Sequence, residues 1–366
     1  MKHLVILAPN WLGDAVMALP AIADVRRAAP DAAISVAARA PIAPLFTLVP
    51  GVRDTIVLPR AASIGDVSSW KTIGAELADR RFDTALVLPN SIHAALVASR
   101  AGIPERWGYR TPFRTRLLTR AIARGGAVHQ AEYYQRLVRE LGFPSGPLEP
   151  RVQVPDAARA AGDRLLADAG WDGTAPLVAL APGAAYGGAK RWPAESFAEL
   201  AATLSADGVR CVLIGSAADA PAVGRVLLDP PTRVVSDPAT RVSSDLPTRN
   251  AGSTGPGLHA IGRGLHAINL VGKTDLPTLA GVLTRCRALV TNDSGAMHLA
   301  AAAGVRVAAV FGPTNERATR PLGDGHVVLA HPVWCRPCML RECPIDHRCM
   351  RGVGAAEVVE AARGML

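Results

Sequence analysis

The chain has 366 residues, 49% of them hydrophobic but only 4% aromatic, so its length suggests two domains whose cores are built from Ala, Val and Leu. That composition suits parallel sheets covered by helices and argues against all-β folds. A formal charge of +9 and an isoelectric point near 9.7 predict an acidic partner, without choosing among a nucleic acid, an anionic membrane surface and a phosphorylated substrate.

The opening MKHLVILAPNWLGDAVMALPA has a basic start and an apolar run, but Asp14 and the turn residues Pro9, Asn10 and Gly13 interrupt it, so no signal peptide is expected. Residues 4–8 read as a short buried strand, 9–13 as a turn and 15–29 as a helix stopped by Pro30. Short apolar runs recur at 34–37, 54–58 and 84–88 with helical patterns between them, which is how a parallel doubly wound sheet looks in sequence. Residues 1–150 carry 18 Lys and Arg against 12 Asp and Glu, and the span 100–124 holds seven Arg against Glu105 alone. A solvated helix face is the plainer reading of that arginine run, but its one-sidedness argues for an anion-facing surface.

The stretch 143–155 is rich in Pro and Gly and separates two blocks of alternating strand and helix. The second block has strands at 177–180, 209–214, 267–270, 288–291 and 307–311, and the chain ends in a helix from 355 onward. The expected organisation is a Rossmann-like domain over 1–150, a linker region over 151–172, a second Rossmann-like domain over 173–350 and a terminal helix over 351–366. Residues 229–252 form three octads of the form D-x-x-T-R, and GLHAIG at 257–262 is nearly repeated as GLHAIN at 264–269. With no apolar periodicity, an insert over 229–265 is expected to be a mobile surface loop without a catalytic role. The longest uncharged stretches are too short to span a bilayer, so a soluble protein, at most peripheral to a membrane, is expected.

Three loops carry candidate chemistry. Asn10-Trp11-Leu12-Gly13-Asp14 follows the first strand at its carboxyl end, where open α/β sheets bind ligands; a turn with an N-cap is the plainer reading, but a carboxylate held there can act as a general base. Asn292-Asp293-Ser294-Gly295-Ala296-Met297-His298 is again a strand running into a helix, and a helix start suits a pyrophosphate, although Ser or Asp at an N-cap is ordinary and His298 alone decides nothing. APGAAYGGAKRWP at 181–193 is a Gly-rich loop containing Gly183 and ending in Lys190 and Arg191, able to approach and neutralise phosphates or merely to be a flexible turn. It is not a Walker motif, and no dinucleotide fingerprint is present.

These loops, together with VLPNS at 87–91, AGIPERWGYR at 101–110, HQAEYY at 129–134, CVLIGSAAD at 211–219, NLVGKTDLPTLAGVL at 269–283 and FGPTNE at 311–316, resemble the lipopolysaccharide heptosyltransferase family over nearly the whole chain. The Trp before Gly-Asp, LPNS, AKRWP and NDSG-x-MH are more similar to its heptosyltransferase II branch than to heptosyltransferase I. The resemblance implies an α/β fold of two Rossmann-like domains facing across a cleft, the GT-B architecture. It implies an ADP-L-glycero-D-manno-heptose donor on the C-terminal domain and a heptose–Kdo–lipid A inner-core acceptor on the N-terminal one, with inversion at the anomeric carbon and no required metal or other cofactor. Asp14 matches the family's base and Lys190 the residue supporting the departing diphosphate. Asn292, Asp293, Ser294, Gly295, Ala296 and His298, with Gly183 and Lys190, are expected at the donor. Asn10, Trp11, Gly13, Asn90, Ser91, Arg106 and Arg110 are expected at the anionic acceptor, and the enzyme is expected in the cytoplasm, on the face of the inner membrane. The competing readings are another lipopolysaccharide core transferase, a non-catalytic two-lobed sugar-nucleotide receptor, and a nucleic-acid module that the few aromatics among the arginines disfavour.

The segment WCRPCMLRECPIDHRCM brings Cys335, Cys338, Cys343 and Cys349 with His347 close to metal-ligand density, but only Cys335 and Cys338 have the usual short spacing. A structural zinc or iron–sulfur site is the lesser reading there, and a catalytic metal is not expected.

Overall fold

A computed structural model of the chain describes residues 1–59, 67–228 and 267–366. The first half builds β1 (His3–Leu7), β2 (Ala33–Arg39), β3 (Asp54–Leu58), β4 (Thr84–Val87), β5 (Glu105–Tyr109) and β6 (Arg120–Ile122) into one parallel sheet in the order β3-β2-β1-β4-β5-β6. The second half builds β7 (Leu177–Ala181), β8 (Arg210–Leu213), β9 (Ala267–Asn269), β10 (Ala288–Asn292), β11 (Arg306–Phe311) and β12 (Val327–Ala330) into another, in the order β12-β11-β10-β7-β8-β9. Read from its other edge, the second order repeats the first. In each half the chain winds outward from its first strand and then returns to that strand's free side, between β1 and β4 and again between β7 and β10. Ligands of open α/β sheets bind where the winding reverses, beyond the carboxyl ends of those strands.

The helices of the first half are α1 (Leu12–Met17), α2 (Leu19–Ala28), α3 (Val67–Asp79), α4 (Ile92–Arg100) and α5 (Gln130–Glu140). They are followed by α6 (Asp156–Asp168), α7 (Ala194–Ala206), α8 (Ala220–Leu228), α9 (Leu276–Leu283), α10 (Gly295–Ala302), α11 (Glu316–Thr319), α12 (Arg348–Arg351) and α13 (Ala355–Arg363). Successive strand residues face opposite layers. Val5 and Leu7 pack with Ile73, Leu77 and Ala95 from α3 and α4, whereas Leu4 and Ile6 join a core that continues through Leu177, Ala179 and Phe311 of the second sheet. Val178, Leu180, Val290 and Val310 form the remaining layer with Phe197, Val223 and Val358. Short β-branched and Ala-rich strands buried on both faces are what parallel sheets require.

The stretch 143–155 is hydrogen-bonded to both halves: the Gly146 N–H donates to Asp24 Oδ1 at 3.0 Å, Gln153 N–H to Leu48 O at 2.8 Å and Val152 N–H to Ala302 O at 2.9 Å. Helix α6 then lies directly on α9, where a Cβ on Gly162 would stand 2.6 Å from the Val282 nitrogen and one on Gly281 would strike the Ala158 carbonyl.

The helix expected over 15–29 differs in two ways. It begins earlier, at Leu12, so that Gly13 and Asp14 occupy its first turn, and it breaks at Ala18 because Pro20 cannot continue a helix but fits the first turn of a new one. Strands β5, β6 and β12 were not foreseen; ERWGY is polar and Gly-containing, and β6 is three residues long. The expected insert over 229–265 lies outside the described residues. Among the described residues no helix is long and apolar enough to cross a membrane.

Candidate active site

The two winding reversals face each other, and their loops supply the charged groups. Helix α1 begins after β1, with Trp11 as an extended N-cap that offers no side-chain cap, and Asp14 in the first turn. Helix α10 begins after β10, with the Ser294 hydroxyl accepting from the Met297 N–H. The two helix starts touch: a Cβ on Gly13 would sit 2.9 Å from His298 Cδ2, and one on Gly295 would sit 2.8 Å from Leu12 Cβ. Glycine is needed at both positions because the helices approach closely.

Lys190 reaches this junction from the loop after β7. Its Nζ lies 2.6 Å from Asp293 Oδ2, with the two side chains only 12% and 6% exposed. The same carboxylate oxygen accepts from Thr314 Oγ1 at 2.7 Å, and the ammonium sits 4.8 Å above the Tyr186 ring. Burial raises the pKa of Asp14; Lys190 opposes that rise and Asp293 adds to it. Asp14 thus lies within the field of both members of the buried ion pair. Burial pushes the His298 imidazole down to about 4, so it is neutral at physiological pH. Tyr134, on α5, senses the charge of Asp14, and burial raises its hydroxyl. His129, the N-cap of α5, meets the Arg320 carbonyl at 3.0 Å and so joins the two halves beside the site.

The first-turn N–H groups of α10, at Gly295 and Ala296, have no intrahelical partner by position, and they lie beside Lys190 through Asp293. Asn292 is fully buried and holds the two loops of the second sheet together, accepting from Trp192 N–H at 3.0 Å and donating to Pro182 O at 2.8 Å and Gly183 O at 3.2 Å. Gly183 is closed on its other side, where a Cβ would run into the Asp219 carboxylate.

Asn10 and Trp11 are exposed at the carboxyl edge of the first sheet. Asn90 is exposed there too and donates to Tyr133 OH at 2.8 Å, while Ser91 caps α4. The arginine run divides. Arg110 points outward, but the Arg106 guanidinium donates to the carbonyls of Leu117, Ile103 and Pro104. Arg114 is fully buried, donates to Pro89 O at 2.6 Å and Val87 O at 3.4 Å, and makes no ion pair among the described residues; burial lowers its pKa to about 10. Pattern alone could not distinguish these three arginines.

The Cys-rich segment packs on the loop that carries Lys190. Glu342 Oε1 accepts from Gly188 N–H at 2.9 Å, Arg341 O from Ala189 N–H at 2.9 Å, and Met339 O from Tyr186 OH at 2.8 Å. Cys335, Cys338, Cys343 and Cys349 line one cavity of about 20 Å³ with Ala189 and Pro313. Among the described residues no group of three or more His, Cys, Asp or Glu side chains is arranged to hold a metal ion. Tyr186, Thr314 and Glu342 were not singled out from the sequence. All three lie inside segments quoted above, but nothing in the Cys-rich segment marks Glu342, whose partner is a backbone amide far along the chain.

This geometry can be set beside known proteins. The chain is 31% identical over 331 residues, 88% of its own length and 86% of the relative's, to the lipopolysaccharide heptosyltransferase 2 of Salmonella typhimurium, and the Escherichia coli protein of the same name matches equally. The solved structure of the E. coli ADP-heptose LPS heptosyltransferase II aligns with a TM-score of 0.78 and 29% identity, covering 100% of this chain and 98% of that one. A glycosyl transferase family 9 protein from Veillonella parvula aligns with a TM-score of 0.81 at 21% identity, covering 100% and 97%, a likeness of fold. The model for glycosyltransferase family 9 (heptosyltransferase) matches residues 70–230 and 256–348, passing over most of the duplicated octads. With two facing Rossmann-like halves and matches along nearly its full length, the chain belongs to glycosyltransferase family 9, the heptosyltransferases.

Proposed function

We propose that this chain transfers L-glycero-D-manno-heptose from ADP-heptose to the heptose–Kdo–lipid A inner core of lipopolysaccharide, inverting the anomeric carbon, while in contact with the cytoplasmic face of the membrane that carries the acceptor. The observation that carries the reading is the meeting of Asp14, at the carboxyl edge of the first sheet, with Lys190 and the start of α10, at that of the second. A base on one half and a cation with helix amides on the other are what an acceptor hydroxyl and a departing diphosphate need.

In this mechanism the acceptor hydroxyl oxygen attacks the anomeric carbon as Asp14 takes its proton. The bond from that carbon to the β-phosphate oxygen breaks, and ADP leaves with the electron pair. Lys190 and the first N–H groups of α10 receive the growing negative charge. Asp293, a carboxylate, serves the diphosphate indirectly by holding Lys190 in place with the help of Thr314. Burial at Asp14 keeps the base basic enough to accept a proton, and neutral His298 closes the back of the site without adding charge.

The test is to incubate purified protein with ADP-heptose and core acceptors truncated to successive lengths, and to read the products by mass spectrometry. Addition of one heptose to the heptose–Kdo acceptor is expected. Transfer only to a Kdo acceptor lacking heptose, or no transfer to any, would refute the assignment.

A further inference from the structure

Three large apolar side chains stand exposed on three neighbouring loops of the first sheet. Trp11 follows β1, Ile92 follows β4 and Phe113 follows β5, and they are 49%, 45% and 87% exposed. Strands β1, β4 and β5 are consecutive neighbours and parallel, so the three loops emerge side by side at one carboxyl edge. The loops are also tied together: Thr111 Oγ1 donates to Asn90 O at 3.4 Å, and Arg114 donates to Pro89 O.

Phe113 is the unusual member. Its φ is 65°, in the left-handed region that a bulky side chain seldom adopts, and Arg114 N–H closes a three-residue turn onto Pro112 O at 2.9 Å. The next residue, Arg114, is buried and fixed on the carbonyls of Val87 and Pro89. A strained turn is thus anchored from inside, with the outcome that an aromatic ring is presented to solvent. Strain of this kind persists only where surrounding structure over-determines it, and it clusters at functional positions. Exposed Arg110 and Arg124, which follow β5 and β6, flank the same edge, in the half that carries most of the positive surplus.

We propose that Phe113, with Trp11 and Ile92, is the tip by which this edge inserts into an anionic bilayer surface, the flanking arginines meeting the lipid phosphates. The inference deepens the proposed function, on which it rests for the bilayer-borne acceptor. Apolar side chains ringed by cations suit an interface whose interior is apolar and whose headgroups are negative. The same edge carries Asp14, so a bilayer docked there sets a lipid-borne hydroxyl at the mouth of the base's loop.

The experiment is co-sedimentation of the full chain with phosphatidylcholine vesicles, with and without phosphatidylglycerol, at low and high salt, without donor or acceptor. Wild type should bind the anionic vesicles, weakly at high salt. Phe113→Gly relieves the backbone strain while removing the ring, so its thermal midpoint should hold or rise while vesicle affinity falls about tenfold or more, on the scale of the apolar area withdrawn. Phe113→Trp should restore binding, and Arg124→Gln should lower it about fivefold in anionic vesicles only. Transfer to an acceptor stripped of its acyl chains should be unchanged in Phe113→Gly, which separates failure of docking from failure of the catalytic reading. No binding of wild type to anionic vesicles, or equal binding by Phe113→Gly, would overturn the proposal. Loss of transfer to the stripped acceptor by Phe113→Gly would overturn it too, placing the ring on the acceptor's sugars.

Discussion

Replacing Lys190 by Met keeps the apolar stem over Tyr186 and removes only the charge. In the folded protein Asp293 then loses one of its two side-chain partners, keeping Thr314 at 2.7 Å and the start of α10. Breaking a buried pair from one side typically costs about 3–5 kcal/mol. The partners that remain offset about 1 kcal/mol of this, so a loss of roughly 2–4 kcal/mol is expected, or several degrees in thermal midpoint for a chain of this size. A charge-assisted contact to the diphosphate is worth about 1.5–3 kcal/mol, so ADP affinity should fall about 10- to 150-fold. Single-turnover transfer should fall further, because the leaving group carries more charge in the transition state than in the bound donor. The double variant Lys190→Met/Asp293→Asn removes both charges and should recover most of the stability but neither ADP affinity nor transfer. Calorimetry with ADP, thermal unfolding and single-turnover rates on the three proteins decide the matter. If the double variant regained ADP affinity, Lys190 would serve only to neutralise Asp293; equal losses in ADP binding and transfer would mean that it binds without assisting departure.

Asp14→Asn should leave ADP affinity nearly intact and lower turnover about 10²-fold or more. Because burial raises the Asp14 pKa, the acid limb of kcat/KM should lie above the ordinary carboxylate range in wild type and be missing from the residual activity of this variant. Gly13→Ala, whose Cβ would press on the His298 ring, should cost about 1–3 kcal/mol by overpacking and depress turnover as well, read by unfolding and steady-state assays together. The His298 pKa is depressed in the folded state to about 4, so folding disfavours its protonation: its contribution to stability is complete above its unfolded value of 6.5 and is lost as pH falls toward 4. That loss is on the order of 3 kcal/mol, and thermal midpoints compared between wild type and His298→Gln from pH 7 to pH 4 should show the variant declining less. Glu342→Ala should raise the donor KM several-fold with little change in acceptor KM, since it frees the Gly188 amide and loosens the loop of Lys190.

Most strands were legible because a parallel sheet buries both faces, so LVIL, ALVL, LVAL and RVAAVF announce themselves as apolar runs. The chemistry-bearing loops were legible for the same reason: each begins where such a run stops. Strands β5 and β6 escaped because ERWGY and RAI lie toward one margin of the first sheet, where polar side chains reach solvent. The arginine run shows a different limit. Seven Arg in 25 residues record a charge surplus, but one guanidinium clamps three carbonyls, one is buried without a counter-ion, and others face solvent. Side-chain direction is set by the turn that carries each residue, and the turn at Phe113 has no Gly or Asn to betray its positive φ. The brace between Glu342 and Gly188 was out of reach because it spans 154 residues and uses a backbone donor.

The repetition of one winding order in both halves explains why the charges of the site are divided as they are. Each sheet reverses once, and each reversal provides one crevice with the same parts: a strand end, a sharp turn and a helix start. A helix start favours an anion. In the second half that preference is available for a diphosphate and is reinforced by Lys190, whose counter-charge Asp293 is already in place before any ligand arrives. In the first half the first turn of α1 carries Asp14 itself, and on the proposed reading this crevice presents a base instead of binding a phosphate. On the proposed reading, two copies of one fold serve opposite tasks: accepting a proton where the first helical turn carries a carboxylate, and accepting a leaving group where it carries none and Lys190 stands beside it. Donor affinity and base strength would then reside in separate halves. They are coupled chiefly through the contact of α1 with α10 and the field between Asp14 and the Lys190–Asp293 pair. Substitutions at Gly13 and Gly295, which set that spacing, should then alter the chemical step more than the affinity for either substrate alone.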